Sequence, residues 1–359
     1  MEESLLELLR IYSPTGKEEK AIEWFSSLLE ENGLEDVNRD RVGNASGILK
    51  GSGLNVALIG HIDTVPGRLP VKINGDEITG RGAVDAKSSL ISLFYGGMLA
   101  RNMGFRGTIK VAAVVGEEGN GRGIAELAAS HEAADYAVLG EPSGTTSVTV
   151  GYRGRILMDA HFKSEQFHAS APWMGQSALE SAIATWSSIK AVYGGSSEFS
   201  KVSVALTSLR GGHSDNVTPS GAKMTLDIRF PPSIKREDIS HNLREIIKGN
   251  GESRDINLIE RSYTEPYVSN LKTPLVIAFK DAIREYTGRD ARMVFKSGSG
   301  DMNHLARKWG IPCITYGPGN TQLSHTNFER ISFTEVKRSS EIVAAALLKL
   351  QSGRINGIR

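Results

Sequence analysis

The chain lacks most features that would place it outside an ordinary soluble fold. Cys313 is its single cysteine, so no internal disulfide forms. Its setting in Ile311-Pro312-Cys313-Ile314 fits a buried strand thiol rather than a nucleophile. Charge is nearly balanced, a formal +1 over 359 residues, which removes any general electrostatic attraction to nucleic acid. No apolar run reaches the roughly 18 residues of a membrane span, and Met1-Glu2-Glu3 opens no signal peptide. Internal repeats, low-complexity tracts and long linkers are also missing, and Ser352 to Arg359 reads as a fraying end. A cytoplasmic protein is expected, and the length exceeds one ordinary core, so two domains are expected.

What is present is a series of apolar runs that each stop at a polar residue able to bind metal. Val56-Ala57-Leu58-Ile59-Gly60-His61 reads as a buried strand delivering His61 to its carboxyl end, before Ile62-Asp63-Thr64-Val65-Pro66. Ile109 to Val115 repeats the design and delivers Glu117 and Glu118, and Tyr136 to Leu139 delivers Glu141. Open α/β sheets place their sites at such carboxyl edges. Asp85 follows the turn Gly80-Arg81-Gly82-Ala83-Val84 and precedes a helical stretch, Ser88 to Met103, that Ser88 or Ser89 can cap. His325 comes late, in Gln322-Leu323-Ser324-His325-Thr326. One acidic residue after a strand is ordinarily a solvated loop residue or a helix cap. Several strand-end clusters in one chain are not expected by accident.

Imidazole and carboxylate ligands without thiolate suit Zn²⁺ or Co²⁺, and a shared carboxylate holds two ions about 3.5 to 4 Å apart. Asp85 is the expected bridge. In His61-Ile62-Asp63 both polar side chains lie on one side of an extended segment, so Asp63 can orient the imidazole. Side chains of adjacent residues diverge, so one of Glu117 and Glu118 binds metal while the other faces the attacking water as general base.

These motifs, with Gly80-Arg81-Gly82-Ala83-Val84-Asp85-Ala86-Lys87, Gly116-Glu117-Glu118-Gly119 and Gly140-Glu141-Pro142-Ser143, resemble those of the dinuclear zinc amidohydrolases. That family includes aminoacylase, acetylornithine deacetylase, succinyl-diaminopimelate desuccinylase and glutamate carboxypeptidase, and the likeness runs from Ser13-Pro14-Thr15-Gly16 to His325. The resemblance implies one ion on His61, Asp85 and Glu141, the other on Asp85, Glu118 and His325, and Glu117 as the base. It departs from the family after Asp85, where Ala86-Lys87-Ser88 replaces a larger residue followed by Lys-Gly. Relatives often have a cis peptide at that point.

The implied fold is α/β: a zinc-peptidase-like catalytic domain with a central mixed sheet, plus an inserted α+β lid or dimerisation domain. Residues 1–152 and 263–359 form the two parts of the catalytic domain and 153–262 the insertion. Within the insertion, Arg155 to Phe162, Lys201 to Leu209, Lys223 to Phe230 and Ile256 to Arg261 pattern as strands, and Ser177 to Tyr193 and Lys235 to Lys248 as helices. By the same resemblance, His168 stabilises the oxyanion from a neighbouring subunit of a homodimer, and Asn216 and Arg229 hold a substrate carboxylate. An arginine fork matches a carboxylate. His213 is expected in a loop that approaches the substrate, while His131, His161, His241 and His304 match no motif.

Phe295-Lys296-Ser297-Gly298-Ser299-Gly300-Asp301-Met302-Asn303 and Tyr316-Gly317-Pro318-Gly319 resemble one branch of the family. That branch releases lysine or ornithine from the terminal glutamate of an acidic amino-group carrier protein, in lysine and arginine biosynthesis. The alternatives are acetyl-lysine or acetylornithine deacetylation or a related desuccinylation, a metallo-dipeptidase or carboxypeptidase, and, in another class, a metal-binding scaffold without turnover. For the carrier, Arg68, Lys72, Arg81, Arg153, Arg155 and Lys163 are candidate contacts.

Overall fold

A computed structural model describes residues 1–130, 134–249 and 256–355, which leaves His131 and the last four residues outside the description. The chain divides into two compact units, one of Met1–Gly151, Val268–Phe295 and Gly300–Arg359, the other of Tyr152–Tyr267 and Lys296–Ser299.

The first unit is built on a nine-stranded mixed sheet. At its centre Asn55–His61 lies between Thr108–Val114 and Tyr136–Gly140, parallel to both. Cys313–Thr315 continues the parallel set beside Tyr136–Gly140. Glu35–Arg39 and Ala45–Leu49 close one edge in antiparallel pairing. Such strands, buried on both faces, read as continuous apolar runs, which is why their sequence signal is uninterrupted. The register sets the site: His61 pairs with Val114, and Gly60 pairs with both Ala113 and Gly140. The residues just past those positions therefore emerge along one sheet edge.

Helix Lys87–Asn102 is buried around most of its surface and packs on these strands. It comes close because Gly60 has no side chain; a Cβ there would lie 3.0 Å from that of Leu90. Its N-cap position is Ala86, which offers no side-chain cap, and the hydroxyls of Ser88 and Ser89 are buried with no hydrogen-bond partner. The expected serine cap is not formed, because the helix begins one residue earlier and draws both serines into its first turn. Helix Phe333–Ile355 runs through the segment expected to fray as far as Ile355. A small antiparallel sheet of Lys72–Asn74, Glu77–Thr79 and Arg330–Ser332 holds the chain after His325 beside the turn that leads to Asp85.

In the second unit the four strands lie in the order Ser203–Gly211, Gly221–Phe230, Gly154–Lys163, Ile256–Thr264, all antiparallel. Helices Ala178–Tyr193 and Arg236–Gly249 supply Ala178, Ala182, Ile189, Ile239 and Leu243 to a core shared with those strands. Ser177 and Glu180 form a reciprocal capping box at the first of them, as a serine followed by glutamate three residues on should. No helix among the described residues is long and apolar enough to cross a membrane.

Candidate metal centre

At the carboxyl edge of the large sheet the structure gathers His61, Asp85, Glu117, Glu118, Glu141 and His325. His61 Nε2 lies 3.2 Å from Asp85 Oδ1 and 3.6 Å from Glu141 Oε1. His325 Nε2 lies 3.3 Å from the other oxygen of Asp85, Oδ2, and 2.8 Å from Glu118 Oε1. Asp85 thus turns one oxygen to each histidine. Ligand atoms of His61, Asp85 and Glu141 fall within 4.8 Å of one another, and so do those of Asp85, Glu118 and His325. A third such group joins His61, Glu117 and Glu118.

Each position has a local cause. His61, Glu117, Glu118 and Glu141 follow parallel strands in register. Asp85 is held by its turn, and the Asp85–Ala86 peptide is cis. His325, unlike these, follows no strand: it stands beyond the short 3₁₀ turn Thr321–Leu323, in left-handed backbone at φ 65°. Asp63 is fully buried, and its carboxylate accepts from the Thr15 hydroxyl at 2.6 Å and from the backbone N–H of Glu117 and Glu118 at 3.1 and 3.2 Å. The imidazole Nδ1 of His61 is 2.9 Å from the carbonyl oxygen of Asp63 and 3.7 Å from its carboxylate. Carbonyl and carboxylate both face that edge of the ring.

Charge within the cluster is lopsided. Asp63, Asp85, Glu117, Glu118 and Glu141 share the space with two imidazoles, and among the described residues no lysine or arginine pairs with Asp85, Glu117 or Glu118. Burial opposes the charge on Asp85, yet the hydrogen bonds of His325 and His61 hold its carboxyl far below the usual carboxylate range. The Asp85 bond in turn raises His325 to about 9. Burial lifts the Glu118 carboxyl to about 7 and also raises Glu117, with neighbouring acids adding to both. A buried excess of carboxylate is costly unless cations neutralise it. The donor set of nitrogen and carboxylate oxygen, with one carboxylate placed between two triads, fits a pair of divalent ions.

Two residues with no role assigned from sequence belong to this architecture. Glu329, 1% exposed, accepts on one oxygen from the N–H groups of Gly82, Val84 and Asp85 at 2.9–3.0 Å and pairs its other oxygen with Arg81 at 3.0 Å. It fixes the turn that presents Asp85. Asp301 begins helix Asp301–Trp309 and is buried, and burial followed by the charge of Glu117 pushes its carboxyl well above the ordinary range. The only hint in sequence was an acid placed after a serine-glycine run.

The second unit places its candidates as follows. The loops carrying His168 and Asn216 pair through Ala169 N–H to the Asn216 carbonyl at 2.8 Å and Thr218 N–H to the Phe167 carbonyl at 2.8 Å. His168 is exposed and its Nδ1 lies 2.7 Å from the Ser170 hydroxyl. Arg229, on the strand Gly221–Phe230, donates to both oxygens of Asp227 and to the Ser299 hydroxyl. His213 is an exposed loop residue. Three of the six basic candidates are committed internally: Arg81 to Glu329, Arg155 to Asp227, and Arg153 to the Phe199 and Glu198 carbonyls and Ser203. Their charge is spent on fixing the fold, whereas Arg68, Lys72 and Lys163 are exposed.

The chain is similar to known proteins along nearly its whole length. A Pyrococcus abyssi protein, provisionally described as a LysW-lysine/LysW-ornithine hydrolase, is 35% identical over 354 residues, 99% of this chain and 95% of its own. A LysW-lysine/LysW-ornithine hydrolase of Sulfurisphaera tokodaii is 34% identical over 337 residues, 94% of this chain and 91% of its own. Among solved structures, aminopeptidase PepT from Bacillus cereus superposes with a TM-score of 0.84 at 21% identity, covering 97% of each chain. The Bacillus subtilis YXEP protein, described as a dinuclear metal-binding peptidase, does so at 0.77 and 15%, again covering 97% of each. The sequence pattern of peptidase family M20/M25/M40 matches residues 57–349. With that match covering every candidate ligand from His61 to His325, the chain belongs to peptidase family M20/M25/M40.

Proposed function

We propose that the protein is a metal-dependent amide hydrolase that releases lysine or ornithine from the terminal glutamate of an acidic amino-group carrier protein. The observation that carries the hydrolytic reading is Asp85, placed with one oxygen toward each of two histidine–carboxylate groups. The substrate reading rests on relatives over 30% identical along nearly the whole chain and named for LysW-lysine and LysW-ornithine.

In this reading His61, Asp85 and Glu141 hold one ion and Asp85, Glu118 and His325 the other. Two Zn²⁺ ions bound there would polarise the amide carbonyl and make a water acidic enough to ionise near neutral pH. Glu117 takes the water's proton on its carboxylate and returns it to the departing amine. Asp63 positions His61 and, through the N–H groups of Glu117 and Glu118, the base itself. His168 donates to the developing oxyanion, a contribution of about 2.7–4 kcal/mol for one such donor. Asn216 and Arg229 hold the α-carboxylate of the released amino acid. Asp227, which now engages Arg229, keeps its fork oriented.

Assay of the metal-loaded enzyme against carrier-linked lysine, carrier-linked ornithine, acetyl-lysine, acetylornithine and dipeptides tests the substrate. A carrier-linked amino acid is expected to give the highest kcat/KM by at least about tenfold, 1.4 kcal/mol. Preference for an acetylated amino acid would replace this reading with a deacetylase, and a requirement for a free amino terminus with a peptidase.

The reading also includes a homodimer in which His168 serves the neighbouring subunit. Glu117→Gln and His168→Ala are each expected to be inactive alone. Equal mixtures that exchange subunits should regain about a quarter of full activity, since half the dimers carry one intact site of two. A monomer that is fully active yet still dependent on His168 would end the shared-site arrangement.

A further inference from the structure

The first unit contains a cavity of about 450 Å³ to which the hydrolytic reading assigns nothing. Arg10, Arg68, Arg81 and Lys87 line it, with no acidic side chain in the lining. Leu9 and Val71 give it apolar wall.

Its polar groups do not satisfy one another. Lys87 is 1% exposed; it forms no direct ion pair among the described residues, and the carboxylates of Glu329 and Asp63 act on its charge from farther off. Its ammonium donates to the carbonyls of Leu8 at 3.0 Å and Ile11 at 2.6 Å, which leaves one of three donors over. Thr64, also 1% exposed, has a hydroxyl with no hydrogen-bond partner. Arg81 spends Nε and Nη1 on Gly67, Thr326 and Glu329, while its Nη2 makes no hydrogen bond among the described residues. Arg68 is exposed and stacks over the ring of Tyr12 at 4.7 Å.

A buried donor left without an acceptor is costly. Water would supply an acceptor but no anion for Arg10 and Arg68, which line the cavity and form no ion pair among the described residues. Phosphate would supply charge but leave the apolar wall without contact. We propose that the cavity binds a carboxylate carried on a short aliphatic chain, its oxygens meeting Lys87, Thr64, Arg68 and the unused Nη2 of Arg81 and its chain lying along Leu9 and Val71. The group is either that of a free small carboxylic acid or that of an acidic side chain on a docked polypeptide. This site is separate from the hydrolytic groups and does not depend on the substrate assigned to them.

Calorimetric titration of the metal-loaded enzyme with glutarate is expected to show saturable binding. Affinity should fall about tenfold in Thr64→Val and in Arg68→Ala, the loss expected for one bond to a charged group. Thermal melting establishes that both variants are folded, and unchanged acetyl-lysine hydrolysis keeps the effect apart from the metal centre. No saturation with wild type, or equal affinity in all three proteins, overturns the proposal. So does binding that disappears in Arg229→Ala and persists in Thr64→Val, because glutarate then occupies the hydrolytic site. Where the cavity does bind it, glutarate that raises KM for carrier-linked substrate but not for acetyl-lysine identifies a polypeptide side chain as the natural occupant. Unchanged KM for both identifies a free carboxylic acid.

Discussion

Glu117→Gln is expected to lower kcat by about 10²–10⁴-fold, the usual contribution of a positioned acid–base group, while the enzyme still binds two ions. Glutamine keeps the shape of the side chain but cannot take a proton from water. Glu118→Gln should do something different. Its carboxylate lies 2.8 Å from His325 Nε2, inside the triad completed by Asp85, so the substitution removes a charged ligand and weakens one ion site. Elemental analysis after gel filtration, set beside kcat for each variant, separates the two outcomes. Equal metal loss in both would sink the division of roles. So would a Glu117→Gln enzyme with near-normal turnover.

Removal of Glu329 is expected to produce the largest loss of stability of any single change outside the ligands. Glu329→Ala strips Arg81 of its buried partner and leaves the N–H groups of Gly82, Val84 and Asp85 without an acceptor. Breaking one side of a buried pair costs about 3–5 kcal/mol. Denaturant unfolding measures it, and the same variant should bind metal more weakly because the turn presenting Asp85 loses its anchor. A double variant, Arg81→Met with Glu329→Leu, tests the cause. Replacing both charges rescues an ordinary buried pair, but here three backbone donors stay unsatisfied, at about 1–3 kcal/mol each. Full recovery in the double variant would reduce Glu329 to a partner of Arg81 alone.

How far the sequence revealed this arrangement varied with the kind of contact. The strands ending at His61, before Glu117 and before Glu141 were legible because parallel strands buried on both faces leave unbroken apolar runs. Asp85 was legible by type and by its glycine-bearing turn. Choosing between Glu117 and Glu118 was not a matter of local pattern at all, since they are neighbours in chain and chemistry, and only the family likeness separated them. The serine cap expected before helix Lys87–Asn102 failed because capping rules read side chains, whereas the turn is set by a distant acid. That acid, Glu329, has acceptors for backbone N–H groups more than 240 residues away. Backbone donors are the same at every residue but proline, so nothing in the sequence marks which of them a carboxylate will serve. The commitment of Arg81, Arg153 and Arg155 to internal partners was hidden for a similar reason: an arginine in sequence looks alike whether its charge is spent or spare.

The two triads differ in when a ribosome finishes them. His61, Asp85 and Glu141 all precede the second unit, whereas His325 follows it, and so does Cys313–Thr315, the strand that fits beside Tyr136–Gly140. At about 5–20 residues per second, roughly ten to forty seconds separate translation of Glu141 from that of His325. During that interval the nascent chain already contains one full set of ligands and only part of the other. In the proposed reading, the residues of one ion site are therefore all translated before the inserted unit, and those of the other are complete only after it, with Asp85 common to both.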